Sequence, residues 1–321
     1  EKAVVDVLRS GAYILGPNTK ALEQEFSQYL GTKHAIGLNS GTDALHLALR
    51  ALDIGKGDEV ITVAFTFVAT TESIEIVGAT PVFVDIDPDT FNMDVTQIED
   101  KITPRTKAIM PVHLYGQPAD MDVIMDIAKR HNLYVIEDCC QAVGAEYKGK
   151  KVGSFGDIGA YSFFPTKNLG GMGDGGMAVT NSDFLKDRMI ALRNHGGAVR
   201  YHHDEIGVNS RLDEIQSAIL RVKMNYIDEW NKMRREVAHR YTELFKDCED
   251  VITPKELDET YCVYHQYTIK VPNRDAVQKM LQENGVGAML YYPIPLHMQK
   301  VHAHLGYKMG DLPKTEYNTQ H

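Results

Sequence analysis

The chain has 321 residues, 43% of them hydrophobic and 24% charged, enough to bury one large core with a smaller unit beside it. A net charge of −10 and an isoelectric point near 5.7 argue against a nucleic-acid partner, because phosphate binding draws on clustered Lys and Arg. No apolar run approaches the ~20 residues that span a bilayer, and no signal peptide precedes the first element, so no membrane role is expected.

The basic cluster Lys232, Arg234 and Arg235 falls on an expected helix and reads as a solvated face. Four cysteines (Cys139, Cys140, Cys248 and Cys262) form no CxxC and no metal spacing, and two are adjacent, which points to no metal and to a reducing, cytoplasmic compartment. The sequence opens without Met and stops in a polar stretch at His321, so further terminal residues are expected.

In chain order, an entry segment of about 20 residues and a turn at Gly16-Pro17-Asn18 lead to a helix with Thr19 as candidate cap ahead of Leu22, Phe26 and Leu30. Strands are expected at His34–Leu38, Glu59–Phe65, Thr80–Asp85, Thr106–Leu114 and Leu133–Asp138. Helices are expected through Leu45–Leu52, near Phe67–Val77, and at Val95–Ile102 and Met121–His131. This alternation implies an α/β fold whose mostly parallel sheet is covered on both faces, with ligands at the carboxyl ends of the strands. Another helix is expected at Asp183–Asn194. A long one follows from Leu212 through Leu244, its apolar residues recurring at steps of three or four. A small α/β unit closes the chain: strand Tyr264–Val271, helix Asp275–Asn284 and strand Gly287–Tyr291. The expected division is a large domain over 1–225 and a linking helix with a small domain over 226–321.

The chemistry centres on Lys167. It lies between two β-like runs, five residues after Ser162 and ahead of a turn rich in glycine (Gly170, Gly171, Gly173, Gly175, Gly176). Most lysines are solvated surface charges, but a lysine in a partly desolvated setting becomes a nucleophilic amine that forms a Schiff base with an aldehyde. An aldehyde cofactor bearing a phosphate and a pyridine ring needs a phosphate cup, a carboxylate for the ring nitrogen and an aromatic face. Ser40, Gly41 and Thr42 with Ser162 are candidates for the first. Asp138, at a strand end with Gln141 three residues on, is a candidate for the second, and Phe67 for the third. Without Lys167, a helix cap at Asp138 and a core role for Phe67 would be the simpler readings.

The ordered motifs SGTDAL (Ser40–Leu45), FTFVAT (Phe65–Thr70), EDCCQ (Glu137–Gln141), SFFPTKNLGGMGDGG (Ser162–Gly176) and NSRLDEIQ (Asn209–Gln216) resemble the DegT/DnrJ/StrS family of pyridoxal-phosphate sugar aminotransferases. The resemblance runs from Gly16 to the YPIPLH stretch at Tyr292–His297. It implies the type I fold of pyridoxal-phosphate aminotransferases, with Lys167 as Schiff-base lysine and acid/base, Asp138 on the pyridine nitrogen and Gln141 on the ring hydroxyl. Phe67 would stack on the ring, and Gly41, Thr42 and Ser162 would contact the phosphate. Asn209 would reach the phosphate from a neighbouring subunit, which implies a homodimer with shared sites. Arg211 would lie near that interface, facing an anionic substrate group or an interface carboxylate, and Tyr291 and His297 would line the sugar pocket. The Asn168–Gly176 pattern is similar to that of members acting at carbon 3 of the sugar, so the implied substrates are a nucleotide-linked 3-keto sugar and L-glutamate. A sugar dehydratase of the same fold, which has His in place of the lysine, and a catalytically silent regulatory or scaffold protein are the alternatives.

Overall fold

In the computed structural model, which describes every residue except 198 and 200, two helices open the chain: α1 (Lys2–Ser10) and α2 (Pro17–Leu30). The alternating segment follows as β1 (His34–Leu38), α3 (Gly41–Ala51), β2 (Glu59–Val63), α4 (Ala69–Ile76), β3 (Thr80–Val84), β4 (Thr106–Ile109), α5 (Met121–His131) and β5 (Tyr134–Asp138). Next come the short strands β6 (Glu146–Tyr147) and β7 (Lys150–Lys151), then β8 (Ile158–Ser162), β9 (Gly176–Thr180) and α6 (Asp183–Arg193). The remainder holds α7 (Glu214–Met224), α8 (Ile227–Phe245), β10 (Thr260–Tyr261), α9 (Arg274–Glu283) and α10 (Pro313–Gln320).

Seven strands form one sheet in the order β1-β9-β8-β5-β4-β2-β3. The pairs β2 with β3, β2 with β4, β4 with β5 and β5 with β8 are parallel, and only β9 runs against its neighbours β1 and β8. Successive side chains of a strand leave on opposite faces, so each strand feeds two cores. Ile136, Ile158, Ala160 and Ala178 join Leu45, Leu49 and Met189 on the α3 and α6 face. Val135 packs with Ile124 and Ile127 of α5, while Tyr161, Met177 and Val179 pack with Leu22 and Phe26 of α2 on the other face. Burial on both sides explains why these strands are apolar throughout rather than alternating.

Several elements differ from expectation. Thr19 is not the cap of α2: the helix starts at Pro17, and its second and third amides, Asn18 N and Thr19 N, donate to the Glu214 carboxylate at 2.9 and 2.7 Å. The stretch from Val95 to Ile102 forms two 3-10 turns, because Asp94 accepts from the Thr96 amide and hydroxyl and closes a tight local turn. β4 ends at Ile109, ahead of Pro111. The long helix breaks at Asn225-Tyr226, where the Asn225 amide donates to Arg221 O and Val222 O and competes with the helical ladder. Near the C-terminus α9 forms, but Tyr264–Val271 and Gly287–Tyr291 are not strands. Residues 263 and 265 instead donate to Gly116 O and Tyr115 O, Lys270 makes an isolated bridge to Ile252, and Gly287–Tyr291 pairs with no strand among the described residues. Also among the described residues, no helix is long and apolar enough to cross a membrane, and all four cysteines are free thiols.

Candidate active site

The carboxyl ends of β1, β2, β5 and β8 open into one cleft of about 380 Å³. After β1 the chain turns into α3, where Ser40 caps the helix by accepting from Asp43 N at 3.0 Å. No acceptor among the described residues takes the Gly41 or Thr42 amide, so both remain available at the positive end of the helix. The backbones crowd here. A Cβ on Gly41 would lie 2.7 Å from Ser162 Cβ and 2.9 Å from Cys140 Sγ, and one on Gly176 would lie 2.2 Å from Ser40 O. Only glycine lets β8, β9 and the start of α3 come this close.

Lys167 sits on the turn after β8, its amide donating to Phe164 O at 2.8 Å and its half-buried side chain lining the cleft. Its amine has no hydrogen-bond or ion-pair partner among the described residues. At the end of β5, Asp138 is 5% exposed and lines the same cleft. Its Oδ2 accepts from Thr70 Oγ1 at 2.8 Å, and its Oδ1 accepts from Cys140 N at 3.1 Å. Gln141 is held at both ends: Oε1 accepts from Tyr115 N at 2.7 Å, and Nε2 donates to the Tyr292 hydroxyl at 3.1 Å. Ser162, Thr42, Gly41, Tyr291 and the exposed ring of Phe67 complete the expected residues that converge here.

Three expected residues lie elsewhere. Asn209 is exposed and bridges to Asn194, away from the cleft of its own chain. Arg211 lines a separate surface opening of about 760 Å³ with Asn194, His195 and His203; this opening is the larger, but neither Lys167 nor Asp138 reaches it. His297 is buried, its Nε2 3.0 Å from Glu316 Oε1, and does not line the cleft; that pair braces α10 against the turn at Leu296–Met298.

Sequence reasoning missed Thr70, Tyr115, Tyr292, Cys140 and His265. Thr70, Cys140 and Tyr292 stood within the recognised motifs and Tyr115 just past an expected strand end, all without an assigned role, whereas His265 meets Asn168 from 97 positions away, without a local signal. Burial, then the Asp138 carboxylate, pushes the Cys140 thiol well up and keeps it neutral. Burial also raises the Tyr292 phenol, against the opposing hydrogen bond from Gln141. Burial, then the charges of Lys167 and Arg234, pushes His265 down to about 3, so its ring is neutral. His113, Glu137 and Cys139 also cluster, but the Glu137 oxygens accept from Gly153 N, Phe155 N and Gly156 N and tie that loop to β5.

Residues 1–321 match the model of the DegT/DnrJ/EryC1/StrS aminotransferase family. The chain belongs to this family. Among family members, the pleiotropic regulatory protein of Geobacillus stearothermophilus is 55% identical over 97% of this chain and 84% of its own length. The UDP-N-acetyl-3-dehydro-alpha-D-glucosamine 3-aminotransferase of Acidithiobacillus ferrooxidans is 52% identical over 93% of this chain and 80% of its own. The crystal structure of S. venezuelae DesV, in complex with a ketimine intermediate, superposes with a TM-score of 0.97 at 42% identity, covering 99% of this chain and 86% of that one. DegT/DnrJ/EryC1/StrS aminotransferases are pyridoxal-phosphate-dependent, and the type I aminotransferase fold is shared with these neighbours.

The residues present fit that cofactor. A free amine at Lys167 and a carboxylate at Asp138 face one cavity, and unpaired amides at the start of α3 lie beside the Ser162 hydroxyl, where an added Cβ would fill the space.

Proposed function

We propose that the protein transfers the amino group of L-glutamate to carbon 3 of a nucleotide-linked keto sugar. The observation that carries this reading is the presence of the Lys167 amine and the Asp138 carboxylate in one cleft. Bound pyridoxal phosphate supplies an aldehyde that can exchange for an amine and a ring that accepts electrons from the carbon being deprotonated. Lys167 anchors that aldehyde and, once free, holds and moves a proton at Nζ. Asp138 keeps a proton on the ring nitrogen, with its carboxylate oriented by Thr70 and the Cys140 amide. Gln141 contacts the ring hydroxyl, Phe67 stacks on the ring, and Gly41, Thr42 and Ser162 hold the phosphate.

Support for the 3-keto sugar comes from the similarity to the 3-aminotransferase of A. ferrooxidans and from the Asn168–Gly176 pattern. Asn209 and Arg211 do not line their own chain's cleft, which supports a homodimer in which each subunit completes its partner's site, with Arg211 meeting an anionic part of the substrate. The similarity to a pleiotropic regulatory protein favours a second reading, a regulator on the same fold, but Lys167, Asp138, Gln141 and Ser162 are all retained here. Purified protein loaded with pyridoxal phosphate should show a visible absorption band that L-glutamate shifts, with release of 2-oxoglutarate, and Lys167→Ala should lack that band. A spectrum indifferent to every amino donor would favour the regulator.

A further inference from the structure

Asn168, the neighbour of Lys167, is the middle of a buried amide chain. Asn231 of α8, 1% exposed, donates from Nδ2 to Val143 O at 3.0 Å, which leaves its Oδ1 as an acceptor. Asn168 donates from Nδ2 to that Oδ1 at 2.8 Å and to Val263 O at 3.0 Å, so its amide orientation is set. The remaining oxygen, Asn168 Oδ1, lies 3.1 Å from His265 Nδ1. An amide oxygen can only accept, so Nδ1 carries the ring proton and Nε2 of the neutral ring carries a lone pair. The main chain of His265 is pinned as well, donating to Tyr115 O at 2.7 Å.

The charges that face the ring are both cations: Lys167 from the turn after β8, and Arg234 from α8, whose Nη1 is 3.3 Å from Tyr264 O and 3.4 Å from His265 O. They oppose imidazolium formation, and no carboxylate among the described residues hydrogen-bonds the ring. His265 walls the cleft that Lys167 lines, and its Nε2 has no partner among the described residues. A fixed acceptor and an unengaged donor therefore share one cavity.

We propose that His265 is a positioning residue for Lys167, its Nε2 lone pair accepting a hydrogen bond from the Lys167 amine whenever that amine is released into the cleft. This rests on the reading of Lys167 as the cofactor lysine. A free lysine side chain samples many rotamers, and an acceptor that stays unprotonated holds the amine in place without competing for its proton. The amide chain from Asn231 through Asn168 fixes which nitrogen is offered.

The test uses the whole protein with nitrogen-15-labelled histidine. His265 is expected to show the Nδ1–H tautomer and no titration between about pH 5 and 9. Its Nε2 resonance should move upfield when pyridoxal phosphate is replaced by pyridoxamine phosphate, which leaves the lysine free, and should not move in Lys167→Ala. His265→Phe, which keeps the ring but not the acceptor, should load cofactor normally yet lose about 10- to 100-fold in kcat with KM little changed. His265→Gln, whose amide reaches the Nε2 position, should recover most of that loss. An Nε2–H tautomer, a resonance indifferent to the cofactor's form, or full turnover in His265→Phe would overturn the proposal. If His265→Phe fails to fold, the resonances of the unaltered protein still decide. Failure of Lys167 to take cofactor at all would instead overturn the parent reading.

Discussion

At the scale of single residues, the Asp138 carboxylate depends on the hydroxyl behind it. A hydrogen bond to a charged group contributes about 1.5–3 kcal/mol, and Thr70 supplies one to Oδ2 at 2.8 Å. Asp138→Asn keeps the shape but loses the negative charge, so cofactor loading should persist while kcat falls about 100-fold or more. Thr70→Val should cost about 10-fold by leaving Oδ2 less well held. Steady-state kinetics beside visible spectra check both, and near-normal turnover in Asp138→Asn would refute its role. The convergence of Lys167 and Asp138 on one cleft could be read from the sequence because their chemistry has few substitutes and their turns are glycine-rich or end strands, whereas Gln141 was placed by the family resemblance. The residues that aim them could not. Tyr115 and Tyr292 meet Gln141 from 26 and 151 positions away, and such contacts leave no local pattern. His297 shows the converse, a residue placed by motif position whose side chain is taken up by a hydrogen bond with Glu316.

Among the elements, the start of α7 holds the start of α2. Glu214 accepts the Asn18 and Thr19 amides and the Asn18 side chain, and a Cβ on Gly16 would lie 2.8 Å from its Cδ. Burial alone would raise the Glu214 carboxyl, but these hydrogen bonds outweigh it and hold the group below the usual glutamate range. A carboxyl whose folded pKa is depressed stabilises the fold above its unfolded pKa, and that contribution is lost as pH falls through the folded value. Glu214→Gln should therefore destabilise the protein by about 2 kcal/mol at neutral pH. The gap from wild type should shrink as pH drops below the ordinary value of 4.5, as denaturant titrations at several pH values would show. A gap independent of pH would mean that packing, not charge, ties α2 to α7. The parallel strands and the helices between them, apart from the 3-10 turns at Val95–Ile102, followed from apolar periodicity, because both sheet faces are buried. The break at Asn225 did not, because the apolar spacing continues across it while one side-chain amide ends the helix. The C-terminal strands failed for a different reason: β-like composition makes a strand only where a partner edge is available.

For the whole molecule, the proposed homodimer places two chains around each pair of sites. Lys167→Ala and Asn209→Ala should each be nearly inactive alone, while subunits mixed and allowed to exchange should recover up to about one quarter of wild-type activity, since half the dimers carry one intact site. No recovery despite demonstrated exchange would place each site within a single chain. The single most direct measurement is reduction of the cofactor-loaded protein with borohydride, followed by peptide mass spectrometry. A pyridoxyl group is expected on Lys167 and on no other lysine; an unmodified Lys167, or the label on another residue, would refute its role as the cofactor lysine.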